Sequence, residues 1–197
     1  MTHDPAPRRP STPGLDRDLS DVRAAQVDRA AFGVLYRRYL DRVYGYSFYL
    51  LGDHHDAEDA TERTFLAALG AIEGFRDQGA SFRAWLFRIA HNQVANVLRS
   101  RERHATSPLD LVAEPVAADD PAASLAASEE ARRLRRALGT LPDDRRQVLV
   151  LRFVDGLSAR EIGAVLDRSE GAVRVLQHRA LRELGSILAR WERREGV

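Results

Sequence analysis

The chain contains no cysteine, which removes disulfides, thiolate zinc sites, iron–sulfur clusters and cysteine nucleophiles together. Lysine is also absent, so every basic side chain other than histidine is an arginine; that bias points to GC-rich coding and carries no mechanism. No apolar run approaches the ~20 residues of a membrane span, because the longest, residues 43–51, is interrupted by Gly45 and Ser47. The paired Arg8 and Arg9 lead into Pro10, Ser11, Thr12 and Pro13, so the apolar stretch of a secretory or twin-arginine signal is missing. A cytoplasmic protein is expected. A Gly-rich phosphate loop, a nucleophile elbow and a carboxylate pair on a defined cleft are likewise absent. The chain is expected not to be an enzyme and to need no cofactor. His54, His55, Asp56 and Asp59 come nearest to a metal set, but adjacent histidines rarely converge on one ion and no third ligand is sensibly spaced. No metal is expected.

What is present is 197 residues, 44% hydrophobic and 30% charged, a globular composition with room for one ordinary domain or two small ones. Thirty basic against 29 acidic residues leave a net charge of +1. A polyanion partner must therefore be met by local basic faces rather than by the overall field.

Along the chain, residues 1–25 are rich in Pro, Asp and Arg without periodicity and read as a disordered leader. Phe32, Leu35, Tyr36, Tyr39 and Val43 then mark an amphipathic helix that Gly52 stops. Residues 56–72 form a second helix with an acidic start, and residues 82–103 a third. Together they make an N-terminal unit over residues 26–104. Residues 105–127 carry Pro108, Pro115 and Pro121 among acids and alanines with no basic residue, the composition of an acidic flexible linker. Four shorter helical signals follow over residues 128–192, and residues 193–197 are a tail. Strand alternation and internal repeats are missing. The expected fold is all-α: two small helical domains joined by a tether.

Two faces carry recognisable chemistry. Ser158-Ala159-Arg160-Glu161 is a capping box that starts a helix with Ile162, Val165 and Leu166 inward. After a turn at Asp167-Arg168, Ser169 caps a second helix with Val173, Leu176, Ala180, Leu184 and Ile187 on its apolar stripe. Its opposite face presents Arg174, His178 and Arg182, flanked by Val175 and Arg179. This is helix-turn-helix patterning, whose second helix enters the major groove and reads base edges. On the helix of residues 82–103, Leu86, Ala90, Val94, Val97 and Leu98 share one side, and Trp85, Arg88, Asn92, Asn96 and Arg99 the other. Arginine neutralises phosphate and asparagine bonds base edges. Phe75 and Phe82 in the preceding loop supply aromatic rings for unpaired bases, although rings in such positions are more often core.

These residues resemble a known family, the extracytoplasmic-function (ECF) sigma factors of bacterial RNA polymerase. Asp56-Ala57-Glu58-Asp59 with Phe65, then Phe75-Arg76, then residues 81–92 (Ser-Phe-Arg-Ala-Trp-Leu-Phe-Arg-Ile-Ala-His-Asn) look like the family's region 2. Leu141-Pro142, Asp155-Gly156-Leu157-Ser158, Glu161-Ile162 and Gly171-Ala172-Val173-Arg174 look like region 4. The resemblance implies that Asp56, Asp59, Glu62 and Phe65 dock on the clamp helices of core RNA polymerase, with the flap as a second contact. It implies that Phe75, Phe82, Trp85, Arg88, Asn92, Asn96, Arg99 and Arg101 open and read the -10 element, Asn92 lining a pocket for a flipped base. Ser169, Arg174, Val175, His178, Arg179 and Arg182 would read the -35 element. Promoter DNA and an anti-sigma factor are the other implied partners, and the acidic linker would mimic a polyanion in the polymerase's RNA channels. Arg63 stands where the family carries an acid, and Leu176 where some members carry a basic residue.

Two other readings compete. The blocks at residues 157–162 and 169–174 also resemble the LuxR-type helix-turn-helix, which would bind duplex DNA alone; the block at residues 82–92 argues against it. A helical hydrolase built on His54 and His55 would require metal-dependent turnover.

Overall fold

The computed structural model describes residues 13–77, 81–105 and 129–195. Among them are eight α-helices and no strand: α1 (Pro13–Val27), α2 (Phe32–Leu51), α3 (His54–Ala71), α4 (Phe82–Ala105), α5 (Glu129–Gly139), α6 (Asp143–Leu149), α7 (Ala159–Leu166) and α8 (Glu170–Glu195). The acidic linker lies outside the described residues apart from Ala105, which closes α4.

Local chemistry sets the helix ends. Gly52 terminates α2 in the left-handed region at φ +70°, its N–H donating to the Phe48 carbonyl at 2.9 Å, the αL ending glycine adopts without steric cost. Asp53 then caps α3 by accepting from the Asp56 N–H at 2.9 Å. Of the α2 stripe read from the sequence, Phe32, Leu35, Tyr39 and Val43 are buried under α3 and α4, whereas Tyr36 at the edge of the stripe stays 40% exposed. A 3-10 turn over Ile72–Gly74 follows α3. Gln26 of α1 pins that turn by donating to the carbonyls of Ile72 at 3.0 Å and Phe75 at 2.9 Å.

Helix α1 corrects the expected leader, half of which is helical and packed. Val22 and Ala25 are buried in the core, and the buried Asp18 carboxylate accepts from Tyr39 Oη at 2.5 Å and from Arg38 at 2.6 Å. Its charged composition hid a short apolar stripe that only a docking partner makes useful. Residues 1–12 lie outside the described residues. The expected tail also shifts, since α8 runs on to Glu195.

The C-terminal helices wrap around α8. Ala137, Leu138, Leu141, Leu149, Ala180 and Ile187 form a cluster with Leu184, Leu188 and Trp191 at its edge. Between α6 and α7 the chain takes one π-helical turn, Val150–Val154, closed by the Asp155 N–H bonding to the Val150 carbonyl at 3.3 Å. The larger core is continuous across both halves: Leu151, Leu157, Ile162, Val165 and Val173 belong to the same buried cluster as Tyr46, Leu86 and Phe87. The tethered halves therefore pack against each other, α7 lying on α4 and the π turn on α2.

Candidate nucleic-acid interface

Helix α7 opens with both halves of the capping box: the Ser158 hydroxyl accepts from the Glu161 N–H at 3.3 Å, and the Glu161 carboxylate accepts from the Ser158 N–H at 2.9 Å. It ends at Asp167, a non-glycine residue in the left-handed region at φ 54°, a conformation Asp tolerates better than most. The Arg168 N–H closes the turn on the Gly163 carbonyl at 2.9 Å. A Cβ on Gly163 would lie 2.5 Å from the Arg168 carbonyl oxygen, so the turn is too tight for any side chain there. Ser169 then accepts from the Ala172 N–H at 3.2 Å and starts α8. Val173 and Ala180 face inward, and Arg174, Val175, His178, Arg179 and Arg182 are all exposed. Arg174 pairs with Glu170 at 2.5 Å one turn back.

On α4, Leu86, Phe87, Ala90 and Val94 are buried, while Asn92, Asn96 and Arg99 are exposed. Arg99 donates to the Asn96 side-chain oxygen at 2.6 Å, which arrays the outer face as one polar strip.

The sigma-70 region 2 family matches residues 35–104, and the sigma-70 region 4 family matches residues 131–184. The ECF RNA polymerase sigma factor BldN of Streptomyces coelicolor is 37% identical over 184 residues, covering 92% of this chain and 70% of its own. SigW of Bacillus subtilis is 31% identical, covering 77% of this chain and 86% of its own. This chain belongs to the ECF sigma factors. The solved structure of CnrH with the cytosolic domain of CnrY matches at a TM-score of 0.68 and 29% identity, covering 87% of this chain and 97% of that one. RpoE of Bartonella quintana shares the fold, with a TM-score of 0.69 at 24% identity over 80% of this chain and 96% of that one. As an alternative sigma factor, the protein binds core polymerase and directs promoter recognition, melting and initiation. The matches lend no support to the LuxR-type alternative, since region 2 fills the place where that reading needs a receiver or ligand domain.

Within the sigma factor, region 2 divides the expected -10 residues into two groups. Phe75 and Phe82 are core side chains, 7% and 1% exposed, packed edge-on at 5.8 Å, with Trp85 half-buried 5.2 and 5.5 Å from them. Neither phenyl ring presents a face to a base in this arrangement. Arg88 is exposed but donates to the Ala164 carbonyl of α7 at 2.9 Å. Arg101 forks onto Asp56 and the Leu51 carbonyl, so one expected DNA contact and one expected polymerase contact hold each other. On α3, Asp59 pairs with Arg63 at 3.1 Å, giving the charge-reversed position a local partner. Glu62 is exposed, and Phe65 is buried with its ring edge-on to Tyr36 at 4.8 Å.

What sequence reasoning missed is the pairing of residues where the halves meet. Glu161 of region 4 accepts from Ser81 at 2.7 Å and from both Nε and Nη2 of Arg83, at 3.2 and 2.6 Å. Burial works to raise the Glu161 carboxyl, but the bonds from Arg83, Ser81 and Ser158 outweigh it and hold it down at about 2. Arg42 of α2 donates to the Asp155 backbone carbonyl, and its Nε lies 4.0 Å from the Asp155 carboxylate. Among the described residues, neither carboxylate oxygen of Asp155 has a hydrogen-bond donor. Burial pushes this acid up to about 7 against the opposing charges of Arg42 and Arg83. No local spacing signals a pair such as Arg83 and Glu161, 78 positions apart. His54, singled out as a metal candidate, stacks on Phe48 at 4.3 Å and meets Tyr44 Oη at 2.5 Å through Nδ1.

Proposed function

We propose that promoter recognition is divided between the exposed faces of α4 and α8. Asn92, Asn96, Arg99 and Trp85, with Arg88 once it is free, take the melted -10 strand. Ser169, Arg174, Val175, His178, Arg179 and Arg182 take the -35 duplex. The observation that carries this reading is α8 itself: four basic or polar side chains, Arg174, His178, Arg179 and Arg182, stand outward with Val175 on the second helix of a helix-turn-helix whose turn admits no side chain at Gly163.

Core polymerase docks on α3 and the groove beside it. That groove, about 680 Å³, is lined by Tyr36, Leu40, Glu62, Phe65, Leu66 and Leu69. Leu66 is 60% and Tyr36 40% exposed, an apolar patch rimmed by the acids Asp41, Glu58 and Glu62, as an interaction surface requires. Buried Phe65 supports this surface from below. Nucleotidyl transfer belongs to the polymerase, and this chain supplies recognition without catalysis, in the cytoplasm. CnrH was solved with the cytosolic domain of CnrY; a protein regulator of that kind, an anti-sigma factor, is proposed here as well.

Run-off transcription with core polymerase tests the assignment. Arg174→Ala and His178→Ala should each weaken upstream recognition by about 1–3 kcal/mol for every base-edge hydrogen bond removed, yet leave permanganate reactivity on a pre-opened bubble unchanged. Failure on the bubble would assign those residues to folding or polymerase docking instead.

A further inference from the structure

The start of α4 carries a built anion site whose occupant comes from the other half of the chain. Ser81 caps α4, its hydroxyl accepting from the Ala84 N–H at 3.2 Å while donating to Glu161. Arg83, the second residue of α4, turns two guanidinium nitrogens onto the same carboxylate. A hydroxyl plus a bidentate arginine fork suits a carboxylate or a phosphate equally well. Arg88, five residues further along, is held by the Ala164 carbonyl of the same helix α7. Region 4 thus covers two donors of α4: Arg88, on the face of the exposed Asn92, Asn96 and Arg99 strip, and Arg83, which reaches α7 from the N-terminal turn on the other side of the helix.

This arrangement cannot persist on a promoter. The -10 and -35 elements lie about 25 base pairs apart, roughly 85 Å of duplex at ~3.4 Å per pair. In the closed chain α4 touches α7 and α7 touches α8, so two packing steps of about 8–10 Å separate the two reading helices. The chain between Ala105 and Glu129 reaches about 80 Å when fully extended at ~3.3–3.6 Å per residue, enough for the halves to part.

We propose that Ser81 and Arg83 form a backbone-phosphate site for the melted -10 strand, and that Glu161 occupies it in the free chain as a carboxylate stand-in. Engaging the promoter exchanges Glu161 for a phosphate and frees Arg88 in the same movement. The inference rests on the sigma-factor assignment of the two faces, and it adds Ser81 and Arg83 to the -10 surface and gives Glu161 a second task. That second task is separable from the first. The capping box works with Gln as well as Glu at its last position, so Glu161→Gln keeps α7 while removing the charge that holds Arg83.

The test uses the full chain. Because it has no cysteine, Arg37→Cys and Arg168→Cys place two spin labels at exposed positions, one on each half. Glu161→Gln and Arg83→Gln should both lengthen the measured separation, since each removes one side of the same ion pair. Their effects on a mixed-sequence single-stranded 12-mer should diverge. Glu161→Gln should bind it three- to tenfold more tightly than the parent chain. Arg83→Gln should gain nothing and lower the salt slope by about 0.7, the share of one phosphate on a single strand. Arg83→Lys, which keeps the charge but not the fork, should lengthen the separation and keep the slope. Unchanged separations in both Gln variants would overturn the proposal, as would an Arg83→Gln chain that binds and responds to salt like Glu161→Gln. Run-off transcription by the unlabelled parent chain with core polymerase reports separately on the sigma-factor reading, so its failure is distinguishable from that of the latch.

Discussion

Asn92 and Gly163 show how differently two single positions contribute. Asn92 is exposed on α4 and makes no core contact, so Asn92→Ala should change thermal unfolding by no more than about 0.5 kcal/mol. It should still impair open-complex formation with saturating polymerase, and by amounts that vary with the -10 sequence. A destabilised variant with unchanged promoter preference would remove Asn92 from the site. Gly163→Ala should do the opposite, because the new Cβ meets backbone rather than a movable side chain. A loss of about 1–3 kcal/mol in denaturant unfolding is expected, with upstream recognition failing in parallel as the turn opens. The exposure of Asn92 was readable from helical phase alone. The demand on Gly163 was not, since it comes from a carbonyl five residues away that approaches only when α8 folds back.

Helices α7 and α8 were readable as elements because their signals are local: a capping box, a second serine cap and apolar residues at helical spacing. Ser158→Ala should cost about 0.5–2 kcal/mol through loss of the cap, measurable as a lower denaturant midpoint. Since Ser158 also orients Glu161 through its hydroxyl at 2.8 Å, the same change should loosen the pairing with Arg83. Helix α1 escaped notice for a matching reason. Its few apolar side chains are interspersed with Asp and Arg, and an isolated helix of that composition has little to hold it. Asp18 becomes an asset only when Tyr39 and Arg38 of α2 arrive to bond it. The π turn at residues 150–154 was likewise invisible in a largely apolar run broken only by Arg152, although such turns gather at functional sites; here it delivers Asp155 to α2.

At the scale of the molecule, closure should respond to pH through Asp155. The groups that face it are Arg42 and Tyr46 of α2 and Arg83 of α4. Its carboxyl is raised from 3.8 to about 7 in the closed chain, so the closed form holds a proton that the open form gives up. That contribution is complete below the ordinary carboxylate range and disappears as pH rises through about 7. His91, bonded to Tyr46 at 3.2 Å, acts in the opposite direction: burial, with the charge of Arg88, lowers its pKa, so its contribution weakens as pH falls through the histidine range. Comparison with Asp155→Asn separates the two. The stability advantage of that variant over the parent chain should widen between pH 5 and pH 8, read as melting temperature; a constant difference would show that Asp155 is charged throughout. A chain closed on itself should also bind promoter duplex weakly until polymerase is added, which gel shifts with and without core polymerase would reveal. Tight sequence-specific binding by the free chain would contradict that.

The amino-acid sequence determined most of the helices beyond α1 and the two polar faces, because helix periodicity, capping and charge are properties of neighbours a few positions apart. It also determined the family, whose two blocks lie in order on those helices. Tertiary structure alone decided that Phe75 and Phe82 are core, that Arg101 holds Asp56, and that Glu161 reaches Arg83. The reason is physical: burial and ion pairing depend on which surfaces meet after the chain has crossed from residue 105 to residue 129, and no local pattern records where an arginine will find its carboxylate.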